Sequence, residues 1–134
     1  MTPDQTLRDY WAAMGTNDFS KAALFLSDEI EIDWPQSGER IKGRSNFVAI
    51  NEAYPAANAW RFTVLSIVAQ GEKVVTVTDV TDGAMTARAV TFSDIDPGTG
   101  LIAKQVEYWP DPYDAPPWRQ AWVSPIPETD PNRM

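Results

Sequence analysis

The chain has 134 residues, 43% of them hydrophobic, and its 11 basic and 19 acidic side chains give a net charge of −8. This length predicts one domain with a buried core, and the charge argues against nucleic-acid or anionic-membrane partners, because no surplus of Lys and Arg can displace phosphate counterions. The chain contains no Cys and no His, which excludes disulfides, thiolate nucleophiles and imidazole bases, so any acid–base chemistry must use Asp, Glu, Tyr, Lys or water.

The N-terminal segment predicts two antiparallel helices joined by a short turn. Apolar side chains recur at helical spacing over residues 3–14, and Gly15 ends this first helix. A second apolar stripe, opened by Asn17 or Asp18, predicts another helix that ends near Ser27.

An alternating segment then predicts a strand with one buried side. Two isoleucines share one face with Trp34, and three acidic residues share the other. This register directs Trp34 toward whatever the strand encloses. After a turn, a third helix is predicted to begin at Ser45 or Arg44 and to be broken by Pro55.

The remaining regular structure is predicted to be an antiparallel meander. Four segments rich in Val, Ile, Thr and aromatic residues are separated by short turn sequences that contain Gly. The predicted strands are residues 60–69, 73–81, 84–93 and 101–109. Three helices followed by such a sheet predict an α+β architecture.

The end of the chain, residues 112–134, is predicted to be a Pro-rich arm that lies outside a domain formed by residues 1–111. Seven of the eleven prolines occur from Pro110 onward, which disfavours helix and strand. Trp118 and Trp122 are expected to make the arm adhere to the domain or to a dimer partner.

The order of elements resembles the nuclear transport factor 2-like superfamily over about residues 3–111, in its SnoaL-like and ketosteroid isomerase-like branch. The local motifs are an acidic pair before the first strand, Ile41-Lys-Gly-Arg44, Gly100-Leu-Ile and Glu107-Tyr-Trp109. The resemblance implies a cone-shaped, cystatin-like roll in which the curved sheet and three helices enclose a mostly apolar pocket. The superfamily includes isomerases, cyclases, dehydratases, epoxide hydrolases and members that only bind, so the fold alone selects no function.

The similarity to ketosteroid isomerases implies which strand residues face the pocket. On the last strand it places Gln105, Glu107 and Trp109 inward, and on the two preceding strands Arg88 and Asp79. Asp79, Arg88 and Glu107 would then form a catalytic group that holds one acid and one base. A structural ion network of the same three residues is an equally weighted alternative.

Tyr10 and Trp34 carry further implications of the resemblance. Tyr10 falls where ketosteroid isomerases place an oxyanion-hole tyrosine, although a core tyrosine is the favoured alternative. Trp34 falls where those enzymes place their general-base Asp, and Arg88 where they place a second oxyanion-hole residue. Steroid-isomerase chemistry as those enzymes run it is therefore excluded, because an indole accepts no proton at neutral pH.

Aromatic side chains are expected either to line the ligand site or to fill the core. The expected ligand-binding residues are Trp34, Trp11, Trp60, Gln105, Trp109 and Tyr54. No phosphate loop, dinucleotide fingerprint or EF-hand spacing occurs, so no cofactor and no metal is expected.

Three functions fit these patterns. The first is a cofactor-independent lyase, isomerase or hydrolase that acts on a small hydrophobic or polyketide-like molecule, with Glu107 as the leading catalytic candidate. The second is a non-catalytic ligand-binding domain. The third is a homodimer formed through an outer sheet face that includes Ile102, Val106 and Tyr108. Without a signal peptide or an apolar run of membrane-spanning length, a cytoplasmic location is expected.

Overall fold

A computed structural model of the chain describes residues 1–134 and has three helices, six strands and one 3-10 helix. The helices are α1 Pro3–Gly15, α2 Phe19–Ala23 and α3 Arg44–Ala53, and the 3-10 helix is Pro117–Trp122. The strands are β1 Leu26–Trp34, β2 Glu39–Lys42, β3 Arg61–Gln70, β4 Lys73–Thr81, β5 Thr86–Ile95 and β6 Ile102–Tyr108.

The six strands form one sheet in the order β2-β1-β6-β5-β4-β3. The predicted meander is confirmed as β3 to β6, in which every neighbouring pair is antiparallel. β1 joins the far side of β6 in the parallel sense, and β2 forms an antiparallel hairpin with β1. The α+β roll that the resemblance implied is therefore confirmed.

The sheet's inner face packs against α1. The buried residues of α1 are Thr6, Leu7, Tyr10, Trp11 and Met14, the amphipathic spacing that a helix needs to cover a sheet. The indole Nε1 of Trp11 donates a hydrogen bond to Thr76 Oγ1 on β4 at 3.1 Å. Without this bond the indole N–H of Trp11 would be buried in the core with no hydrogen-bond partner.

Two sequence predictions of element bounds were wrong at α2 and β2. The second helix ends at Ala23, not near Ser27, because Leu26 already begins β1. β2 was expected to be part of a turn. In the structure three of its four residues are polar and exposed, and only Ile41 is buried. A strand with a single buried residue gives almost no alternation signal.

Ile102 was expected on the outer face with Val106 and Tyr108, and this is wrong. Lys104 pairs with Asp94 while Ile102 pairs with Ile95, so one extra residue of β6 is accommodated between these pairs. Such a bulge reverses which side chains face inward. Ile102 is consequently fully buried in the core, whereas Tyr108 remains 41% exposed.

A buried carboxylate fixes the loop between α3 and β3 against the turn between β4 and β5. Asp82 accepts hydrogen bonds from the backbone N–H groups of Ala57, Ala84 and Met85 at 2.8, 2.9 and 2.8 Å. These bonds hold the pKa of Asp82 below its usual value. The loop and the turn held in this way form one wall of the cavity described below.

The segment after residue 111 has no helix or strand other than the 3-10 helix. Trp118 and Trp122, which were expected to contact the domain or a dimer partner, are 71% and 79% exposed in the single chain. The domain holds the arm near its end, where Arg88 donates hydrogen bonds to the carbonyl oxygens of Pro131 and Asn132 at 2.8 and 3.4 Å. None of the helices has the length and apolar character needed to cross a membrane.

Candidate functional site

A cavity of about 640 Å³ opens between the helices and the inner face of the sheet, and 15 of its 23 lining residues are hydrophobic. Its volume and apolar lining are typical of small-molecule sites. The structure places every residue of the expected ligand-binding set on its wall: Trp34, Trp11, Trp60, Gln105, Trp109 and Tyr54. The cone is therefore not filled by its own side chains.

Glu107 lies on the wall of this cavity and is only 7% exposed. Its Oε1 accepts a hydrogen bond from the indole Nε1 of Trp34 at 3.1 Å. Its Oε2 accepts one from Thr91 Oγ1 at 2.6 Å. Both donors follow from sheet geometry, because Thr91 lies directly opposite Glu107 in the β5–β6 pair and Trp34 ends the neighbouring strand β1.

The environment of Glu107 favours its protonated form. Burial raises the pKa of this carboxyl above its ordinary value of 4.5, and interactions with the side chains of Thr91, Trp34 and Trp109 oppose that shift only partly. No Lys or Arg lines the cavity, so no positive charge of the chain restores the carboxylate there. A carboxyl of this kind can exchange a proton closer to neutral pH than an exposed Glu.

Tyr10 of α1 lines the same cavity and is 2% exposed. Burial raises the pKa of its phenol well above 10.0, the charge of Glu107 raises it further, and a hydrogen bond with Gln105 acts in the opposite direction. Gln105 is itself held by Ser93, to which it donates a hydrogen bond at 3.1 Å. Tyr10 is therefore a neutral phenol, able to donate a proton or a hydrogen bond.

The prediction that Asp79 and Arg88 face the pocket with Glu107 is wrong. They form a two-point ion pair with each other, at 2.7 and 3.1 Å, on the opposite face of the sheet. Since side chains alternate along a strand, the pairing of Thr91 with Glu107 places Thr91 inward and Arg88, three residues earlier, outward. Val75, Val77 and Val90 on the same two strands share this outer face with them.

Arg88 holds the C-terminal arm on the domain, and a substitution can test this role. Arg88→Gln is expected to release the arm, because the guanidinium donates hydrogen bonds to two arm carbonyls. Chymotrypsin should then cleave near Trp118 about tenfold faster, which corresponds to a loss of ~1.4 kcal/mol of local stability. Asp79→Asn is the control, since it removes the ion pair but leaves both arm contacts possible. Equal cleavage rates in wild type and Arg88→Gln would show that the arm is held by other contacts.

Sequence reasoning missed the residues that position the site. Thr91 could have been found from the short hairpin between β5 and β6, had the bulge been known. Asn17, expected as a helix cap, instead has φ of +62° and exchanges two 2.8 Å hydrogen bonds with the backbone of Trp60, which positions that indole on the cavity wall. Gln36 accepts a hydrogen bond from the backbone N–H of Trp109 and so ties the β1–β2 turn to the end of β6.

Comparisons with known proteins agree with this architecture. A family model described as SnoaL-like domain matches residues 7–105. A Kribbella flavida protein named as a candidate ketosteroid isomerase is 26% identical, with a TM-score of 0.85 over 95% of this chain and 91% of that one. An NTF2-like protein of unknown function from Burkholderia xenovorans is 30% identical, with a TM-score of 0.77 over 93% and 95% of the two chains.

A more distant structural relative shows the fold alone. It is described as an LEH-like epoxide hydrolase of Mycobacterium tuberculosis and is 16% identical, with a TM-score of 0.64 over 81% of this chain and 82% of that one. No curated protein is significantly similar in sequence.

Proposed function

Because the chain belongs to the SnoaL-like domain family, whose members share the NTF2-like fold, we propose that it is a cofactor-independent acid–base catalyst acting on a small, largely apolar molecule. The observation that carries the proposal is Glu107, a carboxyl buried in an open apolar cavity and bonded only to neutral donors. Ionisable groups with such shifted pKa values concentrate at catalytic sites.

In the proposed reaction, ionised Glu107 removes a proton from a carbon next to a carbonyl group of the ligand. The neutral phenol of Tyr10 donates a hydrogen bond to the oxygen on which negative charge develops. Protonated Glu107 then returns the proton to another carbon, which gives an isomerase, or a leaving group departs, which gives a lyase. The name of the Kribbella flavida relative, a candidate ketosteroid isomerase, is compatible with this chemistry.

A water-activating hydrolase mechanism has less support. Such a mechanism would use Asp79 and Arg88 with Glu107, and the first two lie on the other side of the sheet. Glu107 is the only carboxylate on the cavity wall that is buried, since Glu39 and Asp111 are exposed. One buried base beside a phenol suits proton transfer on a single substrate.

Hydrogen–deuterium exchange tests this proposal directly. The protein in D₂O is expected to accelerate exchange of the acidic C–H of 2-tetralone and related enolisable ketones above the buffer rate, as followed by proton NMR. Exchange at the buffer rate across a panel of such ketones would contradict acid–base catalysis.

A second candidate, a binding protein without catalysis, is favoured by one observation. Both oxygens of Glu107 already accept hydrogen bonds, from Trp34 and Thr91, so the carboxyl is satisfied without a substrate. In that case a ketone should bind, as measured by quenching of Trp fluorescence, while exchange stays at the buffer rate.

We further propose that the chain forms a homodimer through the outer face of its sheet. Val68, Phe92 and Tyr108 on this face are 62%, 38% and 41% exposed, and the Phe92 and Tyr108 rings contact each other edge-to-face. The accessible surface is 8380 Å², against roughly 7,000 Å² for a compact monomer of this mass. The excess of roughly 1,400 Å² is larger than the ~800 Å² that each partner buries in a standard interface, and the exposed arm contributes part of it.

Light scattering is expected to give twice the monomer mass, and Phe92→Lys should halve it by placing a charge in the apolar interface. Leu24→Lys is the matched control, because Leu24 is 68% exposed and follows α2, away from the outer face. Deleting residues 112–134 then shows whether the arm contributes to the dimer. A monomeric wild type at micromolar concentration would overturn the proposal.

A further inference from the structure

The charged side chains that line the cavity all have the same sign. They are Glu39, Glu107 and Asp111, and no Lys or Arg is among the 23 lining residues. The rest of the wall is rich in aromatic rings, which include Trp34, Trp60 and Trp109. A cavity with this lining has acceptors and π-faces but no cationic group.

Two basic residues of the strands that line the cavity are held on the outer face of the sheet. Arg40 of β2 pairs with Asp33 at 2.7 Å, and Lys104 of β6 pairs with Asp33 at 2.9 Å. Both also approach Glu31, at 3.6 and 3.7 Å. Because side chains alternate along these strands, the sheet separates its positive charges from the cavity that Glu107 lines.

Glu107 therefore lacks a positive partner within the chain. Its hydrogen-bond donors, which include Trp34 and Thr91, are neutral side chains, and an ionised carboxylate in an apolar cavity costs free energy unless a positive charge compensates it. Either a proton or the ligand must supply that charge. An anionic ligand would instead add a second negative charge beside the first.

We propose that the ligand of this pocket is a cation: an amine or quaternary ammonium group attached to an apolar body, with its charge set against Glu107. The aromatic rings of the wall add favourable contacts, since ring faces attract cations. A quaternary ammonium group also loses less hydration free energy on entering the cavity than a primary one does. This inference rests on the proposed function only in taking Glu107 as the group that meets the ligand.

Cation binding and protonation compete for the same carboxylate. Affinity for a permanently charged ligand should rise with pH through the raised pKa of Glu107. The other ionisable groups facing the cavity are Tyr10 from α1, Tyr54 after α3, Glu39 from β2 and Asp111 after β6. Tyr10 stays neutral in this range because its pKa is raised, and the other three are exposed.

Three probes of nearly equal shape separate charge from size: (4-hydroxyphenyl)trimethylammonium, 4-tert-butylphenol and 4-hydroxybenzenesulfonate. Their affinities are measured by titration calorimetry at pH 8 and at pH 5, on the full chain. At pH 8 the cation is expected to bind about tenfold more tightly than the neutral probe, and the anion at least tenfold more weakly. The preference for the cation should shrink at pH 5.

Glu107→Gln is expected to lower the cation-to-neutral affinity ratio at least tenfold, and Glu31→Gln, which removes the same charge from the outer face, should leave it unchanged. Circular dichroism checks that both variants are folded. Equal binding of cation and neutral probes by the wild type, or no binding of the cation at millimolar concentration, overturns the inference. Ketone exchange in D₂O is scored separately, so a cation site without exchange contradicts only the catalytic proposal.

Discussion

Glu107→Gln is expected to reduce proton exchange at the pocket by about 10²–10⁴-fold, the range that a positioned general base contributes. Gln has nearly the same shape as Glu and keeps an oxygen that can accept the 3.1 Å hydrogen bond from Trp34. It cannot accept a proton at any accessible pH. The loss should therefore appear in the exchange rate of bound ketone rather than in ketone affinity, and saturation kinetics followed by NMR separate the two.

The same variant should be as stable as the wild type at pH 7, or more stable. Burial raises the pKa of Glu107 above its unfolded value, so the folded protein holds this proton more tightly than the unfolded chain does. The stabilisation that protonation provides is complete below the unfolded pKa and is lost as pH rises through the folded pKa. The Gln variant has no group to ionise at this position and avoids that loss. The amount by which its thermal midpoint exceeds that of the wild type should therefore decrease as pH falls from 7 to 4.

Glu31→Gln is the control for both measurements, because it removes one carboxylate from the outer face of β1 and leaves the cavity untouched. It should keep the wild-type exchange rate. If Glu107→Gln retained that rate too, Glu107 would not be the base. If it unfolded at a clearly lower temperature, the carboxylate would be a structural anchor, which is the alternative that its two satisfied oxygens suggest.

The orientation of Glu107 toward the cavity was predicted correctly, but the residue that faces it from β5 was not, and the reason is physical. Alternation along β6 leaves two possible inward faces, and the resemblance to ketosteroid isomerases selected the one with Gln105 and Glu107, which do line the cavity. Extending that parity to β5 requires knowing which residues pair across the hairpin, and a shift of one residue reverses every side chain. The bulge lies opposite Asp94 and Ile95, where β6 has one extra residue between Ile102 and Lys104, and no local sequence pattern reveals it.

Trp34 shows a different limit. Alternation along β1 predicted correctly that it faces the cavity, and the structure adds that its N–H meets Glu107. That contact joins two residues that are 73 positions apart in sequence. It depends on the parallel pairing of β1 with β6, which a sequence that predicts only short hairpins does not indicate. The residue expected to be a wall is also a hydrogen-bond donor to the proposed base.

Trp34→Phe is expected to move the pH dependence of exchange to higher pH. Phe keeps an aromatic wall but removes the N–H donor, so the ionised form of Glu107 loses one hydrogen bond and its pKa rises further. A hydrogen bond to a charged group contributes ~1.5–3 kcal/mol, so exchange on the acidic side of the profile should fall about tenfold or more. It should recover toward the wild-type rate at high pH, where Glu107 is ionised in both proteins.

Trp11→Phe is the matched control, because it makes the same chemical change in the same cavity at a residue whose N–H bonds to Thr76 instead. That variant should lose stability, since it leaves a buried hydroxyl without its donor, yet keep the wild-type pH profile. A profile displaced equally in both variants would indicate a general change in cavity polarity. A profile displaced in neither, with uniformly lower exchange in Trp34→Phe, would mean that Trp34 acts only by packing, and that burial and the other donors, Thr91 and Trp109, set the proton affinity of Glu107.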